Sequence, residues 1–225
     1  SILGQVPGEL VAAAFAVFNP AAVVPAVDYG WGLTDAPTIG AARTEGATGQ
    51  LTRLLGDEPD GLARATERTV SALLRRYSRA TELLARATSG LRPEGRPLYA
   101  GLLALGLPGH PVGDAWRLAD RLREYRGDAH TAAWTSAGFD ATEIGMLSEL
   151  YWGLRTRSYV RTRAWSSADL DAAEERLEER GLMAGGALTT EGRARREAVE
   201  EATDAQIWYT TQLLEGIEGA SAAEE

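Results

Sequence analysis

Apolar residues recur at helical spacing along most of this chain and alternate at strand spacing almost nowhere, which predicts a mainly α protein. Glu9 to Phe18 reads as a buried helix stopped by Asn19-Pro20. From Ala21 to Leu33 the pattern is interrupted by Pro25, Gly30 and Gly32 around Tyr29 and Trp31, and this stretch is expected to be irregular. Ala36 to Leu55 predicts a helix capped by Thr34 or Asp35, with Pro37 in its first turn. Gly56 to Gly61 is a loop by composition. Leu62 to Thr88 is a long amphipathic helix, with Val70, Leu73, Leu74, Tyr77, Leu83 and Leu84 near one face.

Gly90 to Gly113 is rich in Gly and Pro, yet its apolar stretch from Leu98 to Leu105 predicts that part of it packs. Asp114 to Tyr125 is a helix carrying Trp116, Leu118 and Leu122; Gly127 is expected to break it, and Asp128 to cap a further helix through Ser136. Helices are then predicted over Ala141 to Trp152, Arg155 to Arg163, and Thr190 to Glu215, with a frayed Ala/Glu tail. These elements divide into an N-terminal helical region, 1–110, and a C-terminal region, 111–225.

Ser166 to Gly192 carries the most information. Ser166-Ser167 supplies an N-cap and Asp169 a carboxylate in the first turn, where the helix dipole favours one. The helix runs through Leu170 and Leu177 to the breaker Gly181; Leu182-Met183, Gly185-Gly186 and Ala187-Leu188-Thr189 form a very short hairpin, and Thr190 opens another helix. Recognition helix, wing, helix is the ending of a winged-helix module. Between Ser167 and Arg180, however, six carboxylates stand against two arginines, and the wing from Leu182 to Thr189 has no basic residue. A helix entering the major groove must approach phosphates and offers Arg, Lys, Asn or Gln to the bases. This one would be repelled.

Composition narrows the choice further. The 225 residues are 44% hydrophobic, enough for a real core, and carry a net charge of −9, which disfavours nonspecific attraction to nucleic acid or anionic lipid. Every basic residue other than the two histidines is arginine, so Schiff-base, pyridoxal-phosphate and Walker lysines are excluded. Without cysteine there are no disulfides, thiolate metal sites or thiol nucleophiles, as expected of a cytoplasmic protein. The apolar stretch Leu10 to Val27 is interrupted by Asn19, Pro20 and Pro25, short of a membrane span and lacking the basic flank of a signal peptide. His110 and His130 lack metal-ligand spacing, and no phosphate-cradling or dinucleotide-binding glycine motif occurs, so neither metal nor cofactor is expected.

The strongest chemical candidate is Leu122 to His130, where Arg126, Asp128 and His130 crowd together. His130 could transfer a proton near neutral pH, Asp128 could orient it, and Arg126 could grip a carboxylate, phosphate or enolate-like oxygen. Trp134 lies one turn beyond His130 and could wall a flat ligand, with Tyr125, Trp116 and Tyr99 as further lining. The other reading stays open: Asp128 as a cap, Arg126 as a helix-end charge and His130 as a core histidine, with the aromatics in ordinary packing. Arg155, Arg157, Arg161 and Arg163 could meet phosphates, or equally the acidic helix at 169–179.

Several segments stand in the same order in a group of actinobacterial proteins labelled helix-turn-helix or MarR-like: Gly95 to Tyr99, Leu122 to His130, Arg163 to Ser166, Arg180 to Met183 and Ala187 to Gly192. From Leu10 to Glu215 the chain resembles that family. The resemblance implies a helical fold ending in a winged helix, and a setting in specialised metabolism. Relatives carry a further helical segment before the position of Ser1, so a pocket completed by such a segment or by a second copy in a homodimer is an expectation. The function expected is small-molecule binding on a degenerate winged-helix scaffold, extending to cofactor-independent acid/base catalysis of the isomerase, dehydratase or cyclase type. The alternative is a ligand-responsive MarR-like regulator that binds DNA.

Overall fold

The computed structural model describes the backbone of residues 2–55 and 67–222, and the side chains of 2–53 and 78–208. The helices are α1 (Gly8–Phe15), α2 (Pro20–Leu33), α3 (Ala36–Leu55), α4 (Glu67–Thr88), α5 (Pro97–Ala104), α6 (Pro111–Ser136), α7 (Ala141–Tyr151), α8 (Ser167–Glu179) and α9 (Thr190–Ala222). A 3-10 turn (Val160–Arg163) precedes α8, and β1 (Met183–Ala184) pairs antiparallel with β2 (Ala187–Leu188). The class is therefore mainly α with a two-stranded hairpin. The loop expected at Gly56 to Gly61 and the start of the helix expected from Leu62 lie outside the described residues. Among the described residues, no helix is long and apolar enough to cross a membrane.

The chain forms two compact units. Unit one comprises 1–5, 34–126 and 208–225; unit two comprises 6–33 and 127–207. In unit one, Asp35 caps α3 by accepting from the Thr38 N–H at 2.8 Å. The packing expected within Gly90 to Gly113 is α5, which buries Leu98, Tyr99 and Leu102. Tyr99 meets Tyr125 edge-on at 5.0 Å between centroids, and the Arg96 guanidinium lies 3.9 Å over the Tyr125 ring. At Gly101 an added Cβ would come within 2.1 Å of the Ile2 carbonyl oxygen, so only glycine lets the N-terminal segment lie against α5.

Unit two holds the winged-helix-like arrangement: α7, the 3-10 turn, α8, the β1–β2 hairpin and the start of α9. Its core gathers Trp134, Phe139, Ile144, Met146, Leu147, Val160, Leu170, Leu177, Met183 and Val199. Asp140 and Glu143 form a reciprocal capping box at α7, and Ser166 and Asp169 another at α8. Gly185 and Gly186, at φ 57° and 76°, make the tight turn of the hairpin that L residues with a Cβ resist.

Three expectations are corrected. Ala21 to Leu33 is helical, because Pro20 is preorganised for a first turn and the Asn19 side chain caps the Ala21 N–H at 2.9 Å. Gly127 does not break the chain: α6 is continuous from Pro111 to Ser136, so Asp128 lies mid-helix and caps nothing. Isolated glycine costs a helix only about 1 kcal/mol, which packing overrides. Arg155 to Arg163 is not an α-helix. Gly153 at φ 71° and Arg157 at φ 60° turn the backbone out of helical geometry, leaving only the 3-10 turn.

Candidate functional site

The buried carboxylate of Glu149 positions the turn before α8. It accepts the Arg157 N–H at 2.7 Å, the Val160 N–H at 2.6 Å and the Tyr159 N–H as well. Burial raises its pKa above the ordinary value, against the opposing pull of those N–H groups and the Arg161 charge. Asn19 and Trp165 tie the α1–α2 joint to the same turn. The Asn19 amide donates to the Ala164 carbonyl at 3.1 Å, and the Trp165 indole donates to the Val17 carbonyl at 3.0 Å.

Arg176 on α8 and Arg180 just after it pair with carboxylates of the same unit. Arg176 bonds Asp140 at 2.5 Å and Glu143 at 3.0 Å, and Arg180 bonds Glu143 at 3.0 Å. Arg157 reaches across to Asp171 at 2.6 Å and Glu174 at 2.5 Å, the acidic-helix pairing that the sequence left open against phosphate. Arg163 is half-buried, stacked over Phe18 and Tyr159. Asp171, Glu175, Glu178 and Glu179 remain exposed, as do Ala184 to Ala187 of the wing. Arg155 and Arg161 are exposed and form no ion pair among the described residues.

Arg126 is exposed, Asp128 buried and His130 half-buried on α6. Arg126, His130 and Trp134 follow at i, i+4 and i+8 along one helix face, whereas Asp128 at i+2 points elsewhere. Trp134 lies in the unit-two core, Tyr125 and Tyr99 pack on each other, and Trp116 carries the guanidinium groups of Arg43 and Arg117 at 5.1 and 4.8 Å. The Thr203 hydroxyl lies 3.1 Å from His130 Nδ1. Because the Thr203 hydroxyl donates its one proton to the Val199 carbonyl at 2.7 Å, it accepts from His130, which places the neutral ring's proton on Nδ1. Thr203 is 73 residues away in sequence, and no local signal announces it.

Unit one contains a cleft of 1090 Å³, just above the usual volumes of small-molecule sites. Residues 2–4, one face of α3 (Pro37, Gly40, Thr44, Thr48), α5 with its following loop, and Arg117 of α6 line it. Apolar and small side chains predominate. Sequence reasoning missed it, since alanines, prolines and glycines carry no chemical signature.

The sequence model of the helix-turn-helix family matches residues 1–223, and the chain belongs to that family. No curated protein and no solved structure matches it.

Proposed function

We propose that this helix-turn-helix family member is a small-molecule-binding protein, its winged-helix end serving as scaffold and its ligand chamber being the cleft of unit one. One observation carries the reading: Arg176 on α8 and Arg157 and Arg180 beside it pair with carboxylates of their own unit, while α8 exposes Asp171, Glu175, Glu178 and Glu179 where a groove-reading helix needs cations. A surface of that sign repels a polyanion, whereas an apolar cleft of 1090 Å³ attracts an organic ligand.

Binding of the neutral apolar dye Nile red tests the chamber. Gly40 lines the cleft and has open space around a would-be Cβ, so Gly40→Trp fills the cleft without strain at its root. The dye is expected to bind the native protein and to be excluded by Gly40→Trp. Equal binding to both would place the ligand elsewhere.

The exposed Arg155 and Arg161 favour a second reading, a ligand-responsive regulator of the MarR type that touches phosphates through the loop before α8. Fluorescence anisotropy with labelled duplex at low salt separates the two. Specific binding with a steep salt dependence supports the regulator; no binding supports the scaffold.

A further inference from the structure

The cleft has one polar wall. Thr44 and Thr48 stand one turn apart on α3, and Arg117 of α6 lies beside them at 3% exposure. Arg117 Nη2 donates to Thr44 Oγ1 at 2.9 Å, and that hydroxyl passes its own proton to the Gly40 carbonyl at 2.9 Å. Arg117 Nε and Nη1 and the Thr48 hydroxyl are buried and meet no hydrogen-bond partner among the described residues. Such donors are costly to leave unmade, and a buried cation without an anion more so.

The neighbouring carboxylate does not answer for Arg117. Asp120 is 5% exposed and gives one oxygen to Arg43 at 2.8 Å and the other to Arg123 at 2.6 Å. Arg43 and Arg121 add to the positive potential at Arg117, which only Asp120 among its strong neighbours offsets. Burial, the larger effect, and those arginines together hold the Arg117 pKa below its ordinary value.

We infer that the cleft takes an amphipathic monoanion, a carboxylate on an apolar body, whose head docks at Arg117 and Thr48 while its tail lies along Pro37, Gly40 and the α5 wall. The guanidinium supplies the missing charge complement, and its Nη1 and Nε donors, which point to different sides of the group, can each give a charge-assisted hydrogen bond to an anionic head. Among the described residues Arg117 is the one arginine on the cleft lining, which suits a singly charged head, and the exposed Glu45 on the same lining opposes a second negative charge. This deepens the reading of the cleft as the ligand chamber and rests on it.

The test is displacement of Nile red by decanoate and by decan-1-ol, which share a tail and differ in head charge. Decanoate is expected to compete about 10–100-fold more tightly than the alcohol with the native protein. Arg117→Met is expected to erase that preference while leaving decan-1-ol binding in place, and to unfold at a higher temperature than the native protein without ligand. A residue with a purely structural role would lower that temperature. Thr48→Val, nearly isosteric, is expected to weaken decanoate alone, by about 3–10-fold, and serves where Arg117→Met does not fold. Equal competition by the two compounds, no competition by decanoate, or a preference that survives in both variants overturns the inference. Of these, equal competition leaves the chamber itself standing, whereas dye binding insensitive to Gly40→Trp removes the chamber.

Discussion

The Glu149 carboxylate lies 2.6 Å from the Val160 N–H and also accepts from Arg157 and Tyr159, so one buried side chain organises the whole turn that leads into α8. A short 3-10 turn leaves its first N–H groups unpaired, and a carboxylate satisfies them better than a neutral acceptor. Glu149→Leu strands three donors and is expected to cost at least about 3 kcal/mol in urea denaturation. Glu149→Gln keeps an acceptor and is expected to lose roughly half as much. Equal stability of all three proteins would refute this role.

Asp140 links the helix cap to acid stability. Burial raises its pKa, but the Thr142 hydroxyl, the N–H groups of Glu143 and Thr142, and Arg176 outweigh burial and hold it below the ordinary 3.8. A depressed carboxylate contributes its stability fully above the ordinary value and loses it as pH falls through the folded value. Urea midpoints measured from about pH 5 down to about pH 2 should fall more steeply for the native protein than for Asp140→Asn, which is weaker at neutral pH.

Gly192 in the first turn of α9 approaches the residue before β1 so closely that a Cβ would lie 2.0 Å from the Leu182 carbonyl oxygen. The obstacle is backbone, and backbone cannot rotate away. Gly192→Ala is expected to destabilise by about 2–3 kcal/mol despite alanine's better helix propensity. A thermal midpoint at or above the native one would show that α9 enters differently.

Asn19 caps α2 and holds the Ala164 carbonyl with the same side chain, and its own N–H donates to the Arg163 carbonyl at 2.9 Å. Asn19→Ala is expected to cost about 1–2 kcal/mol. Hydrogen exchange should quicken at Ala21 on α2, and a change confined to the surface near residue 164 would argue against the cap.

The sequence shows the winged-helix end clearly, because its signals are local and agree. Ser166 with Asp169 makes the cap, Gly185-Gly186 the turn, and Leu170 and Leu177 the buried stripe. It misleads where two local rules conflict. At α2 the Asn19-Pro20 start competes with Pro25 and two glycines, and along α6 the cost of Gly127 competes with tertiary packing. The Arg155 to Arg163 stretch fails for another reason: Glu149, on the preceding helix α7, supplies the acceptor that favours a 3-10 turn over a full helix. Arg126, Asp128 and His130 are adjacent in sequence, and on the one continuous helix that holds them a spacing of two sets Asp128 on another side from Arg126 and His130. The cleft was unreadable, since its wall comes from four separated segments and Arg117 resembles any surface arginine until its burial is known.

The pairing of Arg176 and Arg180 with Asp140 and Glu143 leaves part of the outer surface of α8 without such ties. Glu175, Glu178 and Glu179 are exposed and form no ion pair among the described residues, so their charge is written on the molecule without being tied into it. A handful of acid-to-arginine replacements could therefore reverse the sign of that surface while the hairpin, the caps and the core stay as they are. In a family with this scaffold, gaining or losing a grip on a duplex takes only surface edits, and two members with nearly superimposable backbones can do unrelated work.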